Sequence, residues 1–583
     1  MNLNKMSKDQ PTHQRIVAVA LFVCLFVILA LSAGFYRVIS LKVNTPEKLT
    51  SVATPTNSKI IQHATRGALL DRRGRILAGS RIGYKLFVDP SLVDNIEQLA
   101  FELGEKLELP PAPIERKILE RKNSQYVVIV NLLEQWQVEL IRNSSYKSVG
   151  LEPRLVRSYP QGNSIATLIG LVGTEHIGLA GLEHALNHSL DGKSGTLVRL
   201  RDARKQTLWV DPEDYYPKTD GKDVQLTIDV VIQQIATNHL RKAVLRCNAG
   251  GGRVVVLDPK TGDILAMTDI LNQRENWTQE VSDPMREIDP RLGRNRCLTD
   301  PYEPGSTFKP FVWSIATELG KVSVDELLPT PTGSPHKTSF GRIIRDAHYY
   351  GPSTWRKVLI KSMNSGMAIV AERLSNDEMR NGIMGFGFGT PTYLGLAGET
   401  SGIMTTSKNW SAYTQTSVAM GHEIAVTPVQ MVQGFCAFAR DGSLPQLRLI
   451  AKTEKSVPIV KQAITPEIAR ITRSILGLVM TEGTGRNSQS DLYDLFGKSG
   501  TAQLPRADGK GYFEDRYTAS FIAGAPLENP AVVVICVIDD PDKKIAHYGG
   551  EVAGPVVRDI IDDTLEYLGV LPTKIQLTQV PGL

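Results

Sequence analysis

The chain has 583 residues, 42% of them hydrophobic and 22% charged. That length and balance exclude a short structural peptide, a disordered chain and a polytopic membrane protein, and allow two to four domains at roughly 150 residues each. The 66 basic and 61 acidic side chains leave a net charge of +5, too dilute for binding a phosphate backbone, so no nucleic-acid partner is expected.

Residues 16–36 (IVAVALFVCLFVILALSAGFY) carry no charge. As a helix this run extends about 31 Å at about 1.5 Å per residue, the thickness of a bilayer core. Lys5, Lys8 and Arg15 precede it and Arg37 and Lys42 follow. The basic bias predicts a cytoplasmic tail over 1–15 and a single-pass protein of the cytoplasmic (inner) membrane, its remainder extracytoplasmic. Ala30-Leu31-Ser32 resembles a cleavage site, but the apolar run exceeds the about 7 to 15 residues of a secretory peptide, which favours an uncleaved anchor. Cys24 lies in the anchor; Cys247, Cys297, Cys436 and Cys536 are widely spaced, with no disulfide framework or ligand pattern. Neither a metal nor a cofactor is expected.

Residues 37–59, with Pro46 and Pro55, read as a linker. From 60 to 220, apolar stretches such as YKLFVDP and YVVIV alternate with helical patterns such as 95–107, an α+β module. YPKTDGKD (216–223) is a break. VQLTID (224–229) then predicts a strand ending in a helix-capping Asp, and RVVVLDPKTGDILAM (253–267) a hairpin. LFGKSGTAQ, YTASFIAGAP and AVVVICVID are three further strands, and Pro555 opens a helix with Val557, Ile560, Ile561, Leu565 and Leu568 on one face. Strands at both ends of 224–570, helices between them and a closing helix predict an antiparallel sheet sandwiched by helices, followed by a tail over 571–583.

The sharpest chemical feature is PGSTFKP (304–310). A serine hydroxyl becomes a nucleophile when a nearby base removes its proton, and Lys309, three positions after Ser306, supplies one on the same helix face. Pro310 is tolerated only near a helix start, so Ser306 is expected in the first turn. Ser362-Met363-Asn364 and Lys498-Ser499-Gly500-Thr501 follow. S-x-x-K alone arises often by chance; three ordered motifs do not.

This constellation resembles the penicillin-recognising acyltransferases. The resemblance implies that Ser306, Lys309, Ser362, Asn364 and Lys498 are catalytic and that Ser499, Gly500 and Thr501 bind substrate. Ser306 would attack the penultimate D-Ala carbonyl, with the backbone N–H groups of Ser306 and Thr501 as oxyanion hole. Ser362 and Lys498 would pass a proton to the departing D-Ala, Asn364 would bond the substrate amide and Lys309, and the Ser499 and Thr501 hydroxyls would bind the terminal carboxylate. Lys309 must be neutral to act, and the charge of Lys498 is expected to lower its pKa.

Arg66, Gly67, Asp71 and Gly74 in RGALLDRRGRILA, together with RSYPQGNSIATLIGLVG (157–173) and GLAGLE (178–183), resemble the non-catalytic, dimerisation-type module of class B penicillin-binding proteins. YEPGSTFKP resembles the septal branch. The family implies stem peptides ending in D-Ala-D-Ala as substrates and β-lactams as covalent inhibitors. As partners it implies a SEDS-type glycosyltransferase and divisome proteins. An elongation-specific transpeptidase, a β-lactamase or D,D-carboxypeptidase, and a β-lactam sensor are the alternatives. Arg66 and Asp71 are expected to form a structural ion pair. His184 and His188, though i, i+4, read as a solvated helix face, and GFGFG (385–389) as turns.

Overall fold

A computed structural model describes residues 10–44, 56–173, 176–201, 207–210, 215–272, 294–451, 459–506 and 511–574. The expected tails over 1–15 and 571–583 lie largely outside these residues. The apolar run forms a helix, α1 (Gln10–Val43), and among the described residues it is the one helix long and apolar enough to cross a membrane. It outlasts the apolar segment because no glycine or proline occurs between Arg37 and Val43 to stop it. The expected 37–59 linker is therefore shortened at both ends: it is helical to Val43, and strand structure begins at Thr56.

The chain divides into two compact units. The first comprises residues 1–64 and 193–219. Beside α1 it holds an antiparallel sheet of Thr56–Gln62, Gly195–Arg201 and Thr207–Val210.

The second unit holds everything else, including the rest of the N-terminal module. There β1 (Ile76–Val88) pairs antiparallel with β2 (Val149–Ser158) from Gly79↔Ser158 to Val88↔Val149. Helices α2 (Ile96–Leu107), α3 (Pro111–Glu120) and α4 (Gln135–Arg142) share a core with β1 built on Leu86, Val88, Leu103, Ile118, Ile129 and Val138. Asn95 caps α2 by accepting from the Gln98 N–H, which satisfies one orphan donor of the first turn.

The expected Arg66–Asp71 pair does not form. Arg66 donates to Glu183 at 2.7 Å, and Arg157 holds the other Glu183 oxygen at 2.7 Å, with all three side chains buried. Asp71 instead closes its own turn. One oxygen accepts from the Arg73 and Arg75 N–H groups at 2.8 Å, and the other from the Arg75 guanidinium and from the Val230 N–H at 3.2 Å. Gly74, at φ +80°, allows that turn, which draws the Asp71 carboxylate away from Arg66. Burial alone would raise the Asp71 pKa, but these hydrogen bonds outweigh it and hold the carboxyl below its ordinary value. Arg75 also reaches Asp229 at 2.6 Å, joining the turn to the helix that follows. Gly67 is needed for a close approach: a Cβ there would lie 2.1 Å from the Lys222 carbonyl oxygen. His184 and His188 fall on two short helices, Gly181–Ala185 and Asn187–Leu190, and are exposed.

Helix α5 (Val230–Arg246) begins at Asp229, whose side chain accepts from the Val231 N–H. The hairpin of β3 (Gly251–Leu257) and β4 (Ile264–Leu271) follows. After a helical middle region come β5 (Phe496–Pro505), β6 (Tyr512–Ala525) and β7 (Val532–Asp539), then α9 (Gly554–Tyr567). The sheet order is β4-β3-β7-β6-β5, antiparallel throughout. Alternate residues face opposite ways, as the two-residue strand period requires. Val254, Val256, Phe521 and Cys536 share a core with Ile232 and Leu240 of α5 and Val557, Ile560 and Ile561 of α9. Val255, Leu257, Ile522, Val533 and Ile535 belong to the core on the other face with Phe308, Phe311 and Phe435. Helices on both faces of an antiparallel sheet are the predicted arrangement.

Candidate active site

The approach to Ser306 is held from two sides. Tyr302 forms an antiparallel bridge with Val426, and the Gly305 N–H donates to the Gly421 carbonyl at 3.0 Å. From the sheet, Arg253 on β3 donates to the Asp300 carbonyl at 2.7 Å, pairs with Asp539 at 2.5 Å and lies over the Tyr302 ring. Asp539 also binds Arg296 at 2.8 Å. Ser306 sits in a 3₁₀ turn, Gly305–Phe308, rather than in the first α-turn expected, and α6 (Lys309–Glu318) begins directly after it. Pro310 allows the helix to start here, and Gly305, at φ +54°, makes the tighter bend. Phe308 and Phe311 anchor the turn against Phe388, with ring centroids 5.0 Å away from each.

Lys309 is fully buried. Its Nζ donates to the Ser362 carbonyl at 2.7 Å, to Asn364 Oδ1 at 2.6 Å and to Ser362 Oγ at 3.3 Å. Burial pulls its pKa down to about 7, against the opposing pull of the Asp346 carboxylate. The expected cause, the charge of Lys498, is not the main one; desolvation is. The coupling is felt by Lys498, which is driven well below its ordinary value by burial and by the nearby Lys309.

Ser362 turns its carbonyl to Lys309 because of how its helix ends. Helix α7 (Trp355–Ile360) closes with the Met363 N–H on the Val358 carbonyl and the Ser362 N–H on the Leu359 carbonyl. In this Schellman arrangement the residue after the cap is left-handed and usually glycine. Here it is Ser362, at φ +57°. Replacing Ser362 by glycine is expected to relieve about 1 kcal/mol of backbone strain while removing the hydroxyl. Thermal unfolding should shift upward and acylation by a labelled penicillin should slow; a lower unfolding temperature would contradict this reading.

Helix α8 (Asn364–Ala371) starts immediately afterwards. Its N-terminal donors are satisfied from a distant loop: Asp346 accepts from the Asn364 and Ser365 N–H groups and from the Ser365 hydroxyl. Asn364 Nδ2 donates to the Arg345 carbonyl at 2.9 Å, which leaves Oδ1 for Lys309.

On β5, Lys498 is buried and donates to the Ser499 carbonyl at 2.9 Å. Ser499 Oγ donates to the Thr484 hydroxyl at 2.8 Å, and the Thr501 hydroxyl accepts from the Gly549 N–H at 3.0 Å. Gly500 allows the strand to lie against the turn that carries Ser306, since a Cβ there would sit 2.6 Å from the Pro304 carbonyl oxygen.

Ser306, Ser362, Asn364, Ser499, Gly500 and Thr501 thus line one cleft of about 430 Å³, with Lys309 and Lys498 bonded to its walls. Arg66, Gly67, Asp71 and Gly74 belong to the N-terminal module and do not line it. Sequence reading missed Asp346 and Thr484. Both also line the cleft, yet neither carries a local signal: each acts through a contact with a residue at least 15 positions away.

Two family models match the chain: the penicillin binding protein transpeptidase domain over residues 252–562 and the penicillin-binding protein dimerisation domain over 61–226. The probable peptidoglycan D,D-transpeptidase PenA of Neisseria meningitidis is 34% identical over 88% of this chain and 86% of its own length. The peptidoglycan D,D-transpeptidase FtsI of Escherichia coli is 27% identical over 95% of this chain and 92% of its own. The crystal structure of penicillin binding protein 3 from Mycobacterium tuberculosis, complexed with aztreonam, shares the fold with a TM-score of 0.65 at 24% identity, covering 88% of this chain and 98% of that one. A dimerisation domain followed by a transpeptidase domain, at this similarity to serine-type relatives, shows that the chain belongs to the class B penicillin-binding proteins.

Proposed function

We propose that this protein is a peptidoglycan D,D-transpeptidase that cross-links stem peptides during septal wall synthesis. The observation that carries the chemistry is the buried Lys309 Nζ, held by Ser362 and Asn364 and drawn to a pKa of about 7, one turn after Ser306. A neutral amine there takes the Ser306 Oγ proton as the oxygen attacks the penultimate D-Ala carbonyl. The Ser306 and Thr501 N–H groups face the developing oxyanion, an interaction worth about 100 to 1,000-fold in rate per donor. Ser362 and Lys498 return the proton to the departing D-Ala nitrogen, while the Ser499 and Thr501 hydroxyls hold its carboxylate. An acceptor amine then takes the acyl group from Ser306.

The septal assignment is supported by the YEPGSTFKP form of the first motif and by the similarity to FtsI. The anchor with its basic N-terminal flank supports a cytoplasmic N-terminus and an extracytoplasmic cleft in the cytoplasmic membrane. A SEDS-type glycosyltransferase and divisome proteins are the partners this reading calls for. Incubation with a fluorescent penicillin followed by peptide mass mapping tests the chemistry: a long-lived adduct on Ser306 is expected, and rapid drug turnover would instead indicate a lactamase. A fluorescent fusion should gather at mid-cell, and a purely sidewall pattern would overturn the septal part.

A further inference from the structure

Ser306 and Thr501, whose N–H groups the transpeptidase reading assigns to the oxyanion, sit on separate elements, the Gly305–Phe308 turn and β5. Among the described residues β5 ends the sheet order and pairs with β6 alone, so no ladder sets its distance from the turn. Steric limits set the closest approach. A Cβ on Gly305 would lie 2.9 Å from the Thr501 carbonyl oxygen, and one on Gly421 would lie 2.0 Å from the Gly305 carbonyl oxygen. Such limits stop turn and strand from closing further and do nothing to stop them parting.

An attractive contact comes from Glu303, three residues before Ser306. One carboxylate oxygen accepts from the Tyr512 hydroxyl at 2.9 Å and from the Glu423 N–H at 3.0 Å, and the other lies 3.0 Å from His422 Nδ1. Tyr512 opens β6 and stands opposite Pro505 of β5, four residues beyond Thr501. Its ring meets that of His422 edge to face, with centroids 6.1 Å apart. Burial and the Glu303 charge push the Tyr512 phenol above its ordinary value, which keeps it a donor. The Glu303 side chain is 13% exposed, so these bonds form largely out of water, where hydrogen bonds to a charged group are strong.

The backbone is bent to supply one of them. Glu423 has φ +57°, a left-handed conformation that is costly for a residue with a Cβ and persists where the surroundings over-determine it. Its side chain accepts from the Ser417 hydroxyl at 2.7 Å, and that hydroxyl accepts from Arg342 at 2.8 Å. We propose that Glu303 is a positioning residue: steadied by His422 and Glu423, its carboxylate clasps Tyr512 and so fixes the spacing between the Ser306 and Thr501 N–H groups. This inference rests on the transpeptidase reading and adds to it what holds the two donors in register.

The test follows acylation of the full-length protein by a fluorescent penicillin in a stopped-flow instrument, with rates taken per titrated Ser306. That measurement separates the dissociation constant of the first complex from the rate constant of acylation, and unfolded protein does not enter it. Tyr512→Phe, which removes one oxygen, and Glu303→Ala should each lower the rate constant about 10 to 100-fold, the effect of a small misplacement, and leave the dissociation constant unchanged. Hydrolysis of the acyl-enzyme uses the same two donors and should slow by a similar factor. The double variant should be no slower than Glu303→Ala, because both changes break one bond. Glu303→Gln keeps an acceptor oxygen for Tyr512 and should recover most of the rate. Tyr512→Phe acylating at the wild-type rate, a loss confined to the dissociation constant, or two effects that multiply would overturn the clasp while leaving acyl transfer intact. A wild type that forms no acyl-enzyme overturns the transpeptidase reading itself, and this inference with it.

Discussion

Replacing Lys309 by methionine is expected to slow acylation of Ser306 by a fluorescent penicillin by about 100 to 10,000-fold, the range for losing a positioned general base. The side chain is nearly the same size and the site is fully buried, so the loss reports the missing amine rather than a void. In the wild type the same amine sets the pH dependence. Protonated, it cannot accept the serine proton; its pKa is about 7, so the acylation rate should rise as pH passes upward through about 7 and level off above it. Stability has a matching signature. In the unfolded chain Lys309 holds its proton up to its ordinary value of 10.5, so between about 7 and that value the unfolded state binds more protons and stability rises with pH. Lys309→Met should lose that slope. A rate profile flat between about pH 6 and 8, or a methionine variant that acylates at the wild-type rate, would remove Lys309 from the role of base.

Glu183→Ala is expected to destabilise the protein by about 3–5 kcal/mol, the usual effect of removing one partner from a buried ionic cluster. Glu183 is fully buried between Arg66 and Arg157, whose side chains are 1% and 4% exposed. Without the carboxylate, two guanidinium ions stay out of water with only neutral acceptors: the His176 and Glu183 carbonyls and the Asn187 amide oxygen for Arg66, and the Gly67 and Arg66 carbonyls and the Ser80 hydroxyl for Arg157. Denaturant unfolding measures the change, and a loss below about 1 kcal/mol would contradict it. Because none of these groups lines the cleft, molecules that remain folded should acylate at the wild-type rate. Active-site titration separates the two effects.

Much of the architecture was readable along the chain. The strand after DPKTG, the Asp229 cap and the apolar stripe of α9 depend on residues at most a few positions apart, where period and capping act. The motif serines and lysines were readable by type and order. Partners were harder to read. Glu183 stood in a recognised stretch, but two arginines more than 25 positions away decide its role. Arg66 and Asp71 looked like a pair because they are close in the chain, whereas the turn at Gly74 gave Asp71 nearer donors.

By itself the sequence determined the apolar run long enough to cross a membrane, the order of the modules and which side chains could carry acyl-transfer chemistry, because hydrophobic length, periodicity and functional-group type are local properties. Only the tertiary structure decided the state of those groups. Lys309 is a lysine in any sequence; its pKa falls to about 7 because folding strips water from it, while the Ser362 carbonyl and the Asn364 amide oxygen fix where its nitrogen lies. Asp346, 18 residues from Asn364, and Thr484, 15 from Ser499, enter the cleft for the same reason. Desolvation and hydrogen-bond geometry are set by what surrounds an atom in space, and that is fixed only when distant segments close on one another.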